Sequence, residues 1–417
     1  MTELPPLAVR ALTEADADRV VDLDELVFSE PPYSPETRAL LSPITELGVG
    51  RGIGVFDGEE LAGVGALGTM AMTVPGGTVP LAAVLLIGVS PVYRRRGVMT
   101  TIMRRQLHTL HETGAEPLAG LTASEAAIYG RFGFGTAHYF ALLTVPREQS
   151  ALRPVPGTGD VRLRLVPTAG SGELCEPIVA RQAGRRAGTM TPRPAHWARL
   201  AVADPEQWRE GRSVLRTILA ERDATPVGFA RYATKSDYGP SGLPAGVTDV
   251  SEIYADDAAA YAALVQYLCD IDLTATTRFR RQPADSPLRY LLRDFRAAHM
   301  QVRDGLYLRL VDVDRALAAR KYSAPVNVVL EVTDAFCPWN AGRWQLTGDE
   351  KTAACVRSDA PADLVLDVHE LAAAYLGGNT LAALGQAGLV TEHRPGALTD
   401  ASRAFATDLA PHLPWGI

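Results

Sequence analysis

Three consecutive arginines followed by a glycine are the residues in this sequence best suited to hold an anion. Arg94, Arg95 and Arg96 precede Gly97, and only the short segment 90–93 separates them from the apolar run 81–89. If a strand ends at Val89 and a helix opens at Gly97, the first-turn amides and the positive end of the helix dipole converge on one point, which favours a phosphate. The alternative interpretation is a solvated basic loop, which is what most basic triplets are.

The flanking pattern predicts the elements that would position this basic segment. Apolar residues recur at helical spacing after Gly97, and Gly114 is suited to end that helix. Upstream, the turn at 57–60 lies between two apolar runs, which favours a hairpin of antiparallel strands. Downstream, we expect a strand over 118–122 and a short helix over 125–133.

The same order of elements recurs later in the chain. The strand, turn and glycine-containing strand signature of residues 53–66 returns at 217–232, and a strand over 247–254 precedes a helical pattern over 257–269. The second strand-to-helix joint, 255–258, contains two aspartates and neither a glycine nor a basic residue. We therefore expect a degenerate second copy that cannot cradle a diphosphate and is catalytically empty.

Two changes in composition predict the domain boundaries. A Pro/Gly-rich stretch lies at 153–159, and from about residue 304 strands and helices follow a different order. These features predict domains over 1–150, 151–303 and 304–417, the last of α+β type. The final residues, 411–417, are apolar and punctuated by proline, which favours a docked terminus over a solvated tail.

The overall composition is that of a globular protein of several domains. The chain has 417 residues, of which 47% are hydrophobic and 21% charged, and its formal net charge is −7. This charge does not favour a nucleic-acid partner, and it weakly favours cationic substrates. Four separated cysteines and eight scattered histidines indicate no disulfide framework and no metal site. Residues 1–6 lack the features of a secretory signal and no membrane span is present, so we expect a cytoplasmic protein.

Two motifs resemble those of a known superfamily. Arg94-x-x-Gly97-x-Met99 resembles the Arg/Gln-x-x-Gly-x-Gly/Ala signature with which the GNAT superfamily binds the pyrophosphate of acetyl-coenzyme A, although Met99 replaces the usual small residue. The segment 124–134, Ser-Glu-Ala-Ala-Ile-Tyr-Gly-Arg-Phe-Gly-Phe, resembles the superfamily's tyrosine-bearing helix. Together with the degenerate second copy and the α+β tail, these motifs resemble the Enhanced intracellular survival (Eis) family of acetyltransferases over essentially the whole chain.

This resemblance implies a fold and an assembly. The expected fold is a combination of α/β and α+β domains: two tandem GNAT folds, the second degenerate, followed by a sterol-carrier-protein-like domain. The resemblance also implies homohexamers, acetyl-CoA as co-substrate without a metal, and acetylation of several amines of aminoglycosides.

The resemblance also assigns roles to individual residues. Residues along one strand edge would contact the pantetheine arm, the following bend would hold the pyrophosphate, and two residues near the tyrosine would touch the cofactor. These expected cofactor-binding residues are Ile87, Gly88 and Val89, then Arg95, Arg96, Gly97, Val98, Met99 and Thr100, and finally Ser124 and Glu125.

Two further groups match the family's catalytic pair. Amine attack on a thioester needs a proton for the departing thiolate, and Tyr129 suits this role because the ordinary pKa of a phenol, about 10, is only moderately above that of a thiol. The base implied by the resemblance is the chain's own terminal carboxylate, here that of Ile417. The competing interpretations are a tyrosine that only packs in its helix and a frayed tail.

Three functions remain open on the sequence. The first is an acetyl-CoA-dependent N-acetyltransferase that acts on a cationic small molecule such as an aminoglycoside. The second keeps the chemistry but has a lysine of a protein or peptide as acceptor. The third is a lipid-binding or scaffold protein with vestigial acetyltransferase sites, which the intact basic segment and Tyr129 disfavour.

Overall fold

The computed structural model describes residues 7–417, apart from the side chains of 43–49. Residues 1–6, on which we based the absence of a secretory signal, lie outside the described part. The chain forms two compact units. The first contains residues up to Ala137 together with Leu306–Thr407 and Gly416–Ile417, and the second contains His138–Gly305 and Asp408–Trp415.

Residues 7–137 contain the hairpin, the helix after Gly97 and the strand over 118–122 that the sequence predicts, together with elements that it did not predict. The elements are β1 (Ala8–Ala11), α1 (Ala17–Phe28), α2 (Pro35–Gly50), β2 (Ile53–Asp57), β3 (Glu60–Val74), β4 (Gly77–Val89), α3 (Val98–Thr113), β5 (Leu118–Thr122) and β6 (Gly135–Thr136). The predicted hairpin joins β2 to β3, and α3 ends at Gly114 in the left-handed conformation. The segment 125–133 differs from the prediction, because it forms two short 3-10 helices, Ala126–Ile128 and Gly130–Phe132, and no α-helix.

Residues 138–305 contain the second copy. Its elements are β7 (Tyr139–Pro146), β8 (Arg162–Val166), α4 (Gly172–Ala183), α5 (Ala195–Val202), α6 (Glu206–Arg209), β9 (Arg216–Arg222), β10 (Thr225–Lys235), β11 (Gly246–Ala255), α7 (Ala258–Cys269), β12 (Thr274–Pro283), α8 (Leu288–Leu291) and β13 (His299–Asp304). All seven strands form one sheet, in the order β13-β7-β12-β11-β10-β9-β8.

The remainder of the chain contributes to both sheets of the first unit. Its elements are β14 (Leu306–Leu310), α9 (Val313–Ala319), β15 (Val326–Thr333), β16 (Gly342–Gly348), β17 (Ala353–Arg357), β18 (Leu364–Asp367), α10 (Val368–Ala374), α11 (Leu381–Gln386), β19 (Val390–Glu392) and α12 (Ala397–Phe405). The first unit thus has a seven-stranded sheet, β1-β2-β3-β4-β5-β14-β6, and a five-stranded sheet, β17-β16-β15-β18-β19.

The chain passes from one sheet to another at positions that differ from the predicted domain boundaries. We expected β7 in the first domain and β14 in the third. Instead β7 pairs with β12 and β13, and β14 lies between β5 and β6. The Pro/Gly-rich stretch is not a free linker, because Arg153 N donates to Leu291 O within the second unit. Composition alone cannot distinguish such a held segment from a boundary.

The core of the first unit lies between α3 and the large sheet. The apolar face predicted for the helix, from Val98 to Leu110, is buried. Gly63 and Gly65 on β3 let the helix approach closely, since a Cβ at either position would lie 2.5 Å from a side-chain carbon of Val98 or Ile102. This close packing fixes the distance between the first turn of α3 and the strands of the sheet.

All four cysteines are buried and unpaired. Within residues 7–417, no helix combines the length and apolar character needed to cross a bilayer.

Candidate active site

The strand β4 separates from β5 at the point where the sequence predicts a binding edge. The two strands pair in parallel only from Leu81 to Ala83, opposite Leu118 to Gly120. Beyond this ladder, β4 continues to Val89 while paired with β3 on its other edge. The edge that carries Ile87, Gly88 and Val89 therefore faces an opening between two splayed strands.

A bulge bends β4 within this opening. Leu86 has φ of +52°, and the pairing with β3 skips a residue between Val64 and Ala66. Bulges are often found beside binding sites because they redirect a strand. The sequence contains no signal for this bulge, since leucine rarely adopts a left-handed conformation. Helix α1 covers this part of β4, because side-chain carbons of Val27 and Leu23 lie 3.5 and 3.9 Å from a Cβ built on Gly88.

The basic bend after β4 presents free backbone amides. Arg95 and Gly97 both have positive φ, of +62° and +82°, and Gly97 is the N-cap of α3 with no side chain capping the first turn. Left-handed residues in a turn can direct successive amides toward one point, which is an anion-binding arrangement. Space beside Gly97 is open, since nothing lies within 4 Å of a Cβ built there. The bend thus presents its amides beside open space.

The arginines lie on the surface of the bend, whereas Met99 packs inward. Arg94, Arg95 and Arg96 are exposed, and the guanidinium of Arg96 lies 5.1 Å from the ring centre of Tyr93. Met99 is half-buried and packs against the apolar cluster on the inner face of α3. Its side chain is accommodated by the core, so the departure from the usual small residue does not fill the bend.

Tyr129 lies between the two short 3-10 helices and points into the apolar cluster. Its side chain is 8% exposed, and its ring contacts that of Phe134 edge to face, with 6.0 Å between the centres. Burial, and to a smaller extent the charge of Glu125, raises the pKa of Tyr129 to about 12. The phenol is therefore protonated at neutral pH, but giving up its proton costs more than the ordinary value suggests. Ser124 and Glu125 are exposed at the start of this segment.

The last residue of the chain lies at the end of β5. Thr122 donates to the terminal carbonyl oxygen of Ile417 twice, from its backbone N at 3.3 Å and from its Oγ1 at 2.5 Å. β5 is also the strand that leads into the segment of Tyr129. The structure thus brings Ile417 to the strand end that precedes the tyrosine, through a residue, Thr122, that sequence reasoning did not single out.

The joint of the second copy carries the acids seen in the sequence, and the structure shows what they do. Asp257 caps α7, its carboxylate accepting from Ala260 N at 2.9 Å, and Asp256 pairs with Arg181. A carboxylate thus occupies the place where a phosphate would bind in the first copy. This arrangement agrees with the expectation that the second copy does not hold a diphosphate.

Comparisons with known proteins cover all three parts of the chain. A family model described as "Acetyltransferase (GNAT) domain" matches residues 8–137, and another of the same description matches residues 188–310. A family model for a "Sterol carrier protein domain" matches residues 313–414.

Relatives match over nearly the full length. An uncharacterized N-acetyltransferase of Streptomyces avermitilis is 46% identical over 409 residues, which are 98% of this chain and 99% of the relative. The N-acetyltransferase Eis of Mycobacterium tuberculosis is 33% identical over 369 residues, 85% of this chain and 86% of Eis. The crystal structure of Eis1 from Mycobacterium abscessus matches with a TM-score of 0.81 at 33% identity, covering 98% of this chain and 100% of Eis1. The chain belongs to the Eis family of GNAT N-acetyltransferases.

Membership of the Eis family confirms the predicted fold class and the kind of enzyme. Two GNAT folds precede a sterol-carrier-protein-like domain, and the protein is an N-acetyltransferase. Within this Eis-family architecture, the uncapped bend lies in the first GNAT fold and the acid-capped joint in the second.

Proposed function

We propose that this enzyme uses acetyl-CoA to acetylate amines of a cationic small molecule such as an aminoglycoside, and that its cofactor site is the opening between β4 and β5. The observation that carries this proposal is the bend 95–100, where a glycine N-cap leaves the first-turn amides of α3 free beside three exposed arginines. Free amides, a helix dipole and arginine charge together suit a diphosphate.

The residues of the opening divide into three groups by what they would contact. When bound, acetyl-CoA supplies an acetyl group activated as a thioester. Its pantetheine arm would lie along the β4 edge, its pyrophosphate in the bend, and its thioester end near the start of the tyrosine segment. The residues assigned to these roles are Ile87, Gly88 and Val89; Arg95, Arg96, Gly97, Val98, Met99 and Thr100; and Ser124 and Glu125.

Tyr129 and the Ile417 carboxylate would move the protons. Tyr129 holds a proton at its Oη at neutral pH, because burial keeps its pKa high, and it would give this proton to the departing thiolate. The carboxylate of Ile417, held at Thr122, would orient the amine and accept its proton directly or through a water.

A cationic acceptor is supported by the charges on and after α1. Arg38 pairs with Asp22 and Glu25, whereas Asp24 is bonded to the Tyr33 hydroxyl at 3.1 Å and pairs with no cation among the described residues. Burial raises the pKa of Asp24, and the neighbouring Glu30 and Glu25 add to the effect. This excess of negative charge adjoins Leu23, which packs on Gly88 of the proposed cofactor edge. An amine cation would relieve it.

We further propose that the enzyme is cytoplasmic and forms homohexamers, as the family resemblance implies. The assembly is tested by light scattering after gel filtration. A hexamer requires a mass six times that of the 44.6 kDa chain, and a monomer or dimer at micromolar concentration would refute it.

The cofactor site is tested by calorimetry with acetyl-CoA on the wild type, Gly97→Asp and Gly396→Asp. Gly396 is a matched control because it is also a left-handed N-cap, of α12, with nothing within 4 Å of a Cβ. We expect Gly97→Asp to weaken binding at least tenfold, since it places a carboxylate beside the diphosphate, and Gly396→Asp to bind like the wild type. Equal affinity in all three would place the cofactor elsewhere.

The acceptor is tested by mass spectrometry of products. Wild-type enzyme is incubated with acetyl-CoA and either an aminoglycoside with several primary amines or a lysine peptide. Acetylation of the aminoglycoside at several amines supports the proposal, whereas acetylation of the peptide alone would make the acceptor a protein lysine.

A further inference from the structure

The second unit has its own opening between parallel strands. β11 and β12 pair in parallel from Gly246 to Val250, opposite Thr274 to Phe279. Beyond this ladder the strands flank a pocket of about 480 Å³, lined by residues 251–255 of β11 and 281–283 of β12 together with the joint to α7. The pocket thus occupies the position that corresponds, in the first copy, to the opening between β4 and β5.

The acids at this pocket exclude a phosphate at the helix start. Asp257 caps α7 and pairs with Arg222, Asp256 pairs with Arg181, and Glu252 pairs with Arg231. Each carboxylate that lines the pocket therefore has a cation of its own. A diphosphate would meet two carboxylates in place of free amides, so the occupant is not a second coenzyme A.

The opposite side of the pocket carries an arginine without a counter-ion. Arg281 has no ion pair and no hydrogen bond among the described residues, and its Nη1 is buried without a partner. Its guanidinium lies 4.8 Å from the ring centre of Phe140. Since an arginine stays charged under all ordinary conditions, a half-buried and unpaired guanidinium carries a desolvation cost that an anion would offset.

Arg281 lies at an irregularity of strand β12, where pairing with β7 is interrupted. The ladder between β12 and β7 is interrupted between Phe279 and Gln282, and Arg281 has φ of +43°. A non-glycine residue in this conformation is strained, and such strain is often found where a side chain is positioned for a ligand.

A second residue with an unpartnered polar atom, His412, lines the same pocket. Nδ1 of His412 is buried without a hydrogen-bond partner, while its backbone is held by Ala187 O and by Thr189 Oγ1. Burial, followed by the nearby His138, Arg186 and Arg281, lowers the pKa of His412, so its ring is neutral and can donate one hydrogen bond. Of the two other arginines that line the pocket, Arg186 pairs with Asp285 and Arg185 is exposed.

Apolar groups form most of the remaining wall. Val179, Ile253, Tyr261, Leu291, Leu409 and Pro414 all line the pocket. A ligand that fits this wall has an apolar body, and a ligand that both pairs with Arg281 and accepts a hydrogen bond from His412 has an anionic head with two acceptor oxygens.

We propose that this pocket binds an amphipathic organic carboxylate of the fatty-acid type, with the carboxylate at Arg281 and His412 and the chain along the apolar wall. The proposal concerns the second unit alone and does not depend on the function proposed for the first. The carboxylate would accept a charge-assisted hydrogen bond from Arg281 and a second from His412. Binding at this position would give the degenerate copy a ligand of its own.

The test compares decanoate with decanol on four proteins by calorimetry. The variants are Arg281→Gln, which removes the charge, Ala258→Phe, which fills the pocket from the exposed start of α7, and Arg289→Gln. Arg289 is the matched control, because it also lies over an aromatic ring, that of Tyr290, but does not line the pocket. Thermal unfolding of each variant shows whether it is folded.

We expect decanoate to bind the wild type and Arg289→Gln equally, and Arg281→Gln at least tenfold more weakly. Decanol lacks the charge, so its affinity should be the same in the wild type and in Arg281→Gln, and Ala258→Phe should bind neither probe. The proposal is overturned if decanoate does not bind the wild type even at millimolar concentration. It is also overturned if Arg281→Gln and Ala258→Phe are both folded and bind decanoate like the wild type. The second result would place the fatty acid elsewhere, for example in the sterol-carrier-like domain.

Discussion

At the scale of single residues, the hydroxyl of Tyr129 can be separated from its ring. Tyr129→Phe keeps the contact with Phe134 and the apolar cluster but removes the proposed proton donor. We expect kcat to fall at least 100-fold, the range of a lost general acid, with little change in the thermal midpoint. Because the pKa of Tyr129 is about 12, no alkaline loss of rate from this group is expected below pH 10 or so.

The control for this variant is Tyr307→Phe. Tyr307 belongs to the same buried cluster but is assigned no part in the chemistry. Its kcat should equal that of the wild type. If Tyr129→Phe is folded and fully active, Tyr129 is a packing residue and the acid is another group.

His138 makes the second unit sensitive to acid. It is fully buried, its Nε2 accepts from Leu413 N at 3.3 Å, and burial together with the charge of Arg281 lowers its pKa to about 3. Between pH 6.5 and 3 the unfolded chain therefore binds a proton that the folded chain does not. The contribution of neutral His138 to the free energy of unfolding is therefore fully present above pH 6.5. It decreases as the pH falls, by roughly 2 kcal/mol at pH 5.

Urea unfolding at pH 5 and pH 7.5 measures this contribution. In His138→Gln, whose side-chain oxygen can still accept from Leu413 N, the difference in unfolding free energy between the two pH values should shrink by that amount. His412 and His196 also have lowered pKa values and leave a residual dependence. An unchanged difference in the variant would contradict the assignment.

At the scale of elements, the structure suggests a test of the chain terminus at the end of β5. An Ile417 carboxamide, made by protein ligation, keeps a carbonyl oxygen for Thr122 but removes the negative charge. We expect kcat to fall about 100-fold, as for a lost general base, and the acid limb of the pH profile to disappear. Ile417→Val keeps the carboxylate and should be fully active.

Deletion of Gly416 and Ile417 should reduce the rate at least as much as the carboxamide. Full activity of the carboxamide would show that the terminus acts through its hydrogen bonds to Thr122 and not as a base. Both variants are compared with the wild type for acetyl-CoA binding, which should not change.

The local part of this architecture was predictable from the sequence, because the signals are local. Gly114 ends α3, the Asp57-Gly58 turn joins β2 to β3, and the Gly97 joint opens α3 as the spacing indicates. The bulge at Leu86 was not predictable, because a leucine with positive φ depends on packing against neighbours distant in sequence. For the same reason the contact between Ile417 and Thr122 could not be derived, although the family resemblance assigned Ile417 a role.

At the scale of the whole molecule, the assignment of β7 and β14 to their sheets was the feature most difficult to predict. β7 and β14 have ordinary strand patterns, but which sheet each joins depends on pairing across long stretches of chain. β14 is wholly buried between β5 and β6, and Arg309 on it pairs with the buried Asp334. The boundaries derived from composition put β7 in the first domain and β14 in the third, and neither assignment matches the observed pairing.

Since β14 completes the first sheet, its position predicts which fragments of the chain fold. Residues 1–150 lack β14 and expose the edge of β5, so we expect this fragment to aggregate. A protein that joins Ala137 to Leu306 by a short glycine-serine linker and ends at Thr407 retains every strand of both sheets of the first unit, and Ala137 N already donates to Leu306 O.

Gel filtration and circular dichroism distinguish the two fragments. The linked protein should elute as a folded species with a cooperative thermal transition. A soluble, cooperatively unfolding 1–150 fragment would show that β14 is dispensable for the first sheet.

The position of β14 also has a consequence for synthesis. The ribosome makes β5 long before β14, and at roughly 5–20 residues per second the intervening stretch takes on the order of 10–40 s. During that interval the nascent acetyltransferase fold has an unpaired edge at the strand that ends in Thr122. Until residues 306–310 emerge, this edge is a template on which another chain can pair.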